Sequence, residues 1–133
     1  MHLVHYILSL SNLLGIYPVY YSSHFSIRWI TSLIMFASTM MHLSEIKHGL
    51  QPSIPFFNQY SLWFLNLDRL VTVCSVLYFI PMWWYHHDCD LIVTIFMLAL
   101  LIGWISEQSI DLFTYTLGHL FWHMMIYLLL SMF

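Results

Sequence analysis

The sequence predicts an all-α, polytopic membrane helix bundle with about five transmembrane helices, a single domain with no second unit. Hydrophobic residues fill 61% of its 133 positions and charged residues only 7%, with a mean hydropathy of +0.79. An ordinary soluble domain carries about a quarter charged residues. The apolar residues are also gathered into runs of the roughly 17 to 25 needed to cross a hydrocarbon core about 30 Å thick. Three basic against six acidic residues leave a formal net charge of −3. No basic surface exists to follow a phosphate backbone, so nucleic acid is excluded as a partner. Cys74 and Cys89 are too few for a disulfide framework.

The first helix is expected over about 3–20, in MHLVHYILSLSNLLGIYPVYY, and closes at Pro18 and the polar YYSSH. That stretch has neither the basic start nor the small-residue cleavage site of a secretory leader, so it reads as a membrane helix. The second is expected over about 27–46, with Gly49 and Pro52 as stop signals in the polar SEIKHGLQPS. The third runs over about 60–83 and ends in PMWWY, whose aromatic residues suit a membrane interface. The fourth covers about 90–105, and ISEQSID separates it from a fifth over about 111–133. Arg28 and Lys47 flank opposite sides, so basic residues set no orientation. The nine methionines and 25 aromatic residues read as packing and lipid-facing surface.

Ionisable groups inside these spans are the informative residues, because a charge at the helix centre costs about 2.5 to 3.5 kcal/mol on insertion scales. His42 with Ser38 in the second helix, Asp68 in the third, and His119 with His123 in the fifth stand out. Ser38/His42 and His119/His123 are i,i+4 pairs, each sharing one helical face. Counting from the helix ends on the N-terminal side of the membrane puts His42 about 6 to 9 Å deep, Asp68 about 12 Å, and His119 about 10 to 14 Å. All five groups therefore fall in one leaflet if the chain crosses five times. Three neutral imidazoles with an open fourth position form the ligand set of a catalytic zinc site. Asp68 is then placed to orient a water or take its proton, and Ser38 to hydrogen-bond that water or a developing oxyanion.

Ser-x-x-x-His at 38–42, LeuAspArg at 67–69 and GlyHisLeuPheTrpHis at 118–123 resemble the motifs of the superfamily often called CREST. It unites alkaline ceramidases, adiponectin and progestin receptors, and myomaker-like proteins. The resemblance implies a reduced form of a seven-helix fold, with Zn2+ held by His42, His119 and His123, and with Ser38 and Asp68 as partners of the water and transition state. It implies a zinc-dependent intramembrane lipid hydrolase, acting on the amide or ester of a ceramide-like or other acyl lipid in an endomembrane such as the ER or Golgi. The chain has room for one helix between the Asp and His-x-x-x-His helices, where the family has three. A homo-oligomer is the arrangement that would supply the missing wall.

Other readings stand beside this one. A non-catalytic subunit or a myomaker-like factor would keep the metal as a structural clamp, and a haem-binding subunit would use the histidines as axial ligands. HHDCD at 86–90, with His24, is a second group of metal-ligand residue types, but its spacing matches no standard zinc module. His2, His5 and His48 read as interfacial. Asp111 and Tyr115 continue the His119/His123 face at four-residue steps, either as support for the ligands or, for Asp111, as a helix start.

Overall fold

The computed structural model describes residues 2–46, 55–85 and 89–133, and these are helical with no strand among them. Helix α1 (His2–Ser11) passes through a 3-10 turn, Asn12–Gly15, into α2 (Ile16–Tyr21), so the three segments form one continuous rod. Helix α3 spans Phe25–Ser44; a 3-10 segment, Pro55–Tyr60, leads into α4 (Ser61–Trp84). Helices α5 (Cys89–Gln108) and α6 (Leu112–Ser131) complete the bundle.

Three of the rods, Leu3–Tyr21, Ser61–Trp84 and Asp90–Gln108, are long and apolar enough to cross a membrane. Helices α3 and α6 have 20 residues each, about 30 Å of helix, but carry the histidines and hydroxyls that lower their hydropathy. Those polar groups face inward: Ser38, His42, His119 and His123 are buried, whereas Trp29, Leu33, Phe36, Leu70, Leu77 and Trp104 are exposed. An apolar exterior around a polar interior is the arrangement expected when the solvent is hydrocarbon.

Several helix ends differ from the sequence expectation. Pro18 does not close the first rod: it lies in the first turn of α2, where its missing N–H is least costly, and the helix runs on to Tyr21. Helix α5 continues past Ile105 to Gln108, because Ser106 is fully buried and hydrogen-bonded into the neighbouring helix rather than solvated. Asp111 caps α6, accepting from Thr114 N at 2.7 Å and Thr114 Oγ1 at 2.8 Å. Those bonds, the backbone one foremost, hold its carboxyl below the usual carboxylate range. It is an exposed helix start, not a support for the ligands. In PMWWY, Trp84 and Tyr85 are exposed but Trp83 turns inward and stacks on Phe79. Gly49 and Pro52, together with His48, His86 and His87, lie outside the described residues.

The two ends of the bundle differ in character. Ile27, Phe79, Trp83, Ile92, Tyr127, Leu129 and Leu130 form a dry cluster where α3 and α5 begin and α4 and α6 end. Polar residues collect at the opposite end, where α3 and α5 finish and α6 starts. Helix α4 packs on α3 and α5 packs on α6, while α4 and α5 meet only sparsely. Gly118 makes the α5–α6 contact close, since a Cβ there would stand 2.8 Å from Ser106 Cβ.

Candidate metal centre

Helix α6 presents one buried stripe at four-residue steps: Tyr115, His119, His123 and Tyr127. Helix α3 presents Ser38 and His42, the latter in its last turn. The two stripes meet, and ring nitrogens of His42, His119 and His123 come within 4.8 Å of one another. The rings stand nearly edge to face: 88° between His42 and His119, 70° between His42 and His123, and 85° between His119 and His123. Their centroids are only 4.9 to 5.7 Å apart, which leaves no slot between them for a porphyrin.

The neighbours of these rings determine where their protons lie. Ser106 Oγ donates its single proton to the Tyr115 carbonyl at 2.8 Å, so toward His119 Nδ1, 3.0 Å away, it can only accept. Ser11 Oγ likewise donates to the Leu8 carbonyl at 2.6 Å and accepts from His123 Nδ1 at 2.6 Å. His42 Nδ1 faces the Glu45 Oε2 carboxylate oxygen at 3.2 Å, and Tyr115 Oη donates to the other oxygen of that carboxylate. Each imidazole is thus held with hydrogen on Nδ1 and a lone pair on Nε2. His42 Nε2 and His123 Nε2 then face each other at 3.4 Å with no proton between them.

Lone pairs converging in a buried site repel unless a cation lies between them. Zinc–nitrogen bonds of about 2.05 Å place two tetrahedral ligand atoms about 3.3 Å apart, close to the 3.4 Å seen. The His42–His123 pair thus has the spacing of two ligands of one ion, and His119 brings a third ring nitrogen within 4.8 Å of both, so the three together can hold a metal. Ser38 Oγ lies 3.2 Å from His123 Nε2. Asp68 lines the same narrow cavity of about 60 Å³ from α4, together with Ser38, His119 and His123. Four of the five residues singled out from the sequence thus border one space, and His42 meets His119 and His123 beside it.

Four contributors were not anticipated. Glu45, which the sequence places in the polar stretch at the end of the second helix, is buried at the C-cap of α3 and bridges His42 to Tyr115. Ser106 and Ser11 support the other two ligands. His5 is fully buried rather than interfacial, and its Nδ1 donates to the His42 carbonyl at 2.6 Å. That bond satisfies one of the orphan carbonyls at the end of α3 and ties the first rod to the ligand-bearing turn. A signal for this existed: His5, Leu8, Asn12 and Gly15 are buried at helical spacing, so His5 belongs to the inner face of α1.

No family model matches the chain, and no curated protein or solved structure shows significant similarity to it.

Proposed function

We propose that the chain is a zinc-dependent intramembrane hydrolase of acyl lipids, cleaving an amide or ester, and that it is a shortened relative of the CREST proteins its motifs resemble. One observation carries this reading: ring nitrogens of His42, His119 and His123 lie within 4.8 Å of one another, each Nδ1 has a hydrogen-bond partner, and Ser38 and the cavity-lining Asp68 stand beside them. Three imidazoles and an open position are the ligand set of catalytic zinc, whereas structural zinc is usually closed by four protein ligands.

His42, His119 and His123 would hold the metal. When bound, such a dication polarises a carbonyl oxygen and lowers the pKa of a water to about 7. Asp68 takes the proton released as the water oxygen adds to the carbonyl carbon. It returns that proton to the leaving nitrogen or oxygen as the C–N or C–O bond breaks, yielding a fatty acid and an amine or alcohol. Ser38 donates a hydrogen bond to the oxygen that becomes negative in between. Membrane lipids are the substrate class, and the endomembrane location is carried by the resemblance alone.

Asp68→Asn separates catalysis from metal holding. Removing the proton carrier while keeping side-chain volume is expected to lower turnover of a fluorescent ceramide or lysolipid by about 10²- to 10⁴-fold with metal content unchanged. An unsubstituted protein that holds its metal but turns over nothing across a lipid panel sinks the hydrolase reading in favour of a structural clamp.

A further inference from the structure

The converging histidines come from two helices whose backbones hardly meet. Helix α3 supplies His42 and packs on α4, whereas α6 supplies His119 and His123 and packs on α5. The first rod packs on both α3 and α6. Its inner face engages them at successive levels. His5 Nδ1 donates to the His42 carbonyl at 2.6 Å, Ser11 Oγ accepts from His123 Nδ1 at 2.6 Å, and Asn12 Oδ1 accepts from Tyr127 Oη at 2.6 Å. At Gly15 the rod lays bare backbone against both helices at once: a Cβ there would stand 2.6 Å from Met35 Cγ on α3 and 2.7 Å from Tyr127 Cε1 on α6.

The His5 bond falls where α3 most needs one. His42 is two residues from the end of that helix, so its carbonyl is among the last four, which have no partner within the helix. Helix ends fray, and a ligand on a fraying turn does not keep the separation of about 3.3 Å that two nitrogens on one ion require. His5 and His42 are both fully buried, which keeps water from competing for the bond. The six residues from His5 to Ser11 correspond to about 9 Å of helix. Over that short distance the rod carries one tether to each of the two helices that bear the ligands.

We propose that the first rod is the frame of the metal centre and that His5 is a positioning residue within it. By fixing the last turn of α3 to the rod, which Ser11 joins to His123, His5 sets the distance between His42 and the ligands of α6. The inference rests on the metal centre of the hydrolase reading and does not require turnover. Coupling between two sites is reciprocal, so a rod that sets zinc affinity is itself held more firmly once zinc is bound.

Zinc affinity is measured on the intact chain in detergent by competition with a chromophoric chelator, and absorption of the Co2+-substituted protein reports ligand geometry. His5→Leu, which fills similar space without a donor, is expected to bind zinc about 10- to 100-fold more weakly and to shift the Co2+ bands. His5→Asn puts an amide N–H close to the position of Nδ1 and is expected to restore affinity to within about threefold. Tyr127→Phe removes a bond from α6 to the rod that involves no ligand, and both readouts are expected to stay as in unsubstituted protein. In unsubstituted protein, adding zinc after chelator treatment is expected to slow amide exchange in the turn Asn12–Gly15 at least about fivefold, with no such change at residues 79–83 of α4. Unchanged affinity and bands in folded His5→Leu, equal losses in His5→Leu and His5→Asn, or a loss in Tyr127→Phe as large as in His5→Leu overturns the proposal. Exchange in the turn that does not respond to zinc also overturns it, and this measurement decides if His5→Leu does not fold. If the frame results hold while no acyl lipid is hydrolysed, the frame stands and the hydrolase reading fails; if His5→Leu binds zinc normally while lipid is hydrolysed, the reverse holds.

Discussion

Glu45 is the residue through which the metal centre can be weakened without touching a ligand. Its carboxylate accepts from His42 Nδ1 at 3.2 Å, and across the imidazole and a bond of about 2 Å it lies roughly 7 Å from a metal held at the three Nε2 atoms. Coulomb's law for one charge against a dication at that distance, with an effective dielectric of about 20, gives about 5 kcal/mol. That is an upper bound. Glu45→Gln keeps an acceptor for His42 Nδ1 and removes the cost of burying a carboxylate, and both effects offset the lost attraction. Removing a partner of a metal-ligating histidine typically costs 10- to 100-fold in affinity, and we expect Glu45→Gln to fall in that range with stoichiometry unchanged. Competition with a chromophoric zinc chelator in detergent measures it. Visible absorption of the Co2+-substituted protein should also shift as the His42 ligand loses basicity. Unchanged affinity and spectrum in the variant would show that Glu45 serves only as an end to α3.

Gly118→Ala tests whether the close α5–α6 approach orients His119. The new methyl meets Ser106 Cβ at 2.8 Å and Oγ at 3.1 Å, so Ser106 must leave His119 Nδ1. Overpacking of this kind costs about 1 to 3 kcal/mol; weaker metal binding is expected as well, and a variant with unchanged zinc affinity removes Ser106 from the supporting set. Tyr127→Phe leaves the buried Asn12 Oδ1 without the hydroxyl that reaches it at 2.6 Å. Unfolding in mixed micelles should show a loss of about 1 to 3 kcal/mol with metal content unaltered, because this bond joins the first rod to α6 one turn below the ligands.

The three histidines that converge could be picked out from the sequence because an imidazole inside a long apolar helix is costly and needs a reason. His119 and His123 share a face at i,i+4, and the polar groups of three spans fall at one depth. Their supports were less visible. Glu45 and Ser106 sit in SEIK and ISEQ, stretches polar enough to read as loops, yet the first closes α3 and the second lies within the last turn of α5. Ser11 and Asn12 interrupt an apolar run and mark themselves as unusual. Their partners, His123 and Tyr127, are 112 and 115 residues away, and no local pattern connects residues so far apart. Pro18 misled because proline stops a helix in its interior but is tolerated in a first turn, and the 3-10 turn that makes position 18 a first turn has no strong sequence signature.

Everything functional rests on the three converging histidines holding zinc. Elemental analysis of detergent-purified protein, expressed with zinc supplied and washed free of loosely held ions, should find about one zinc per chain, falling to background in His42→Ala and in His119→Ala. Unsubstituted protein that elutes folded and carries no zinc under those conditions would rule the metal centre out.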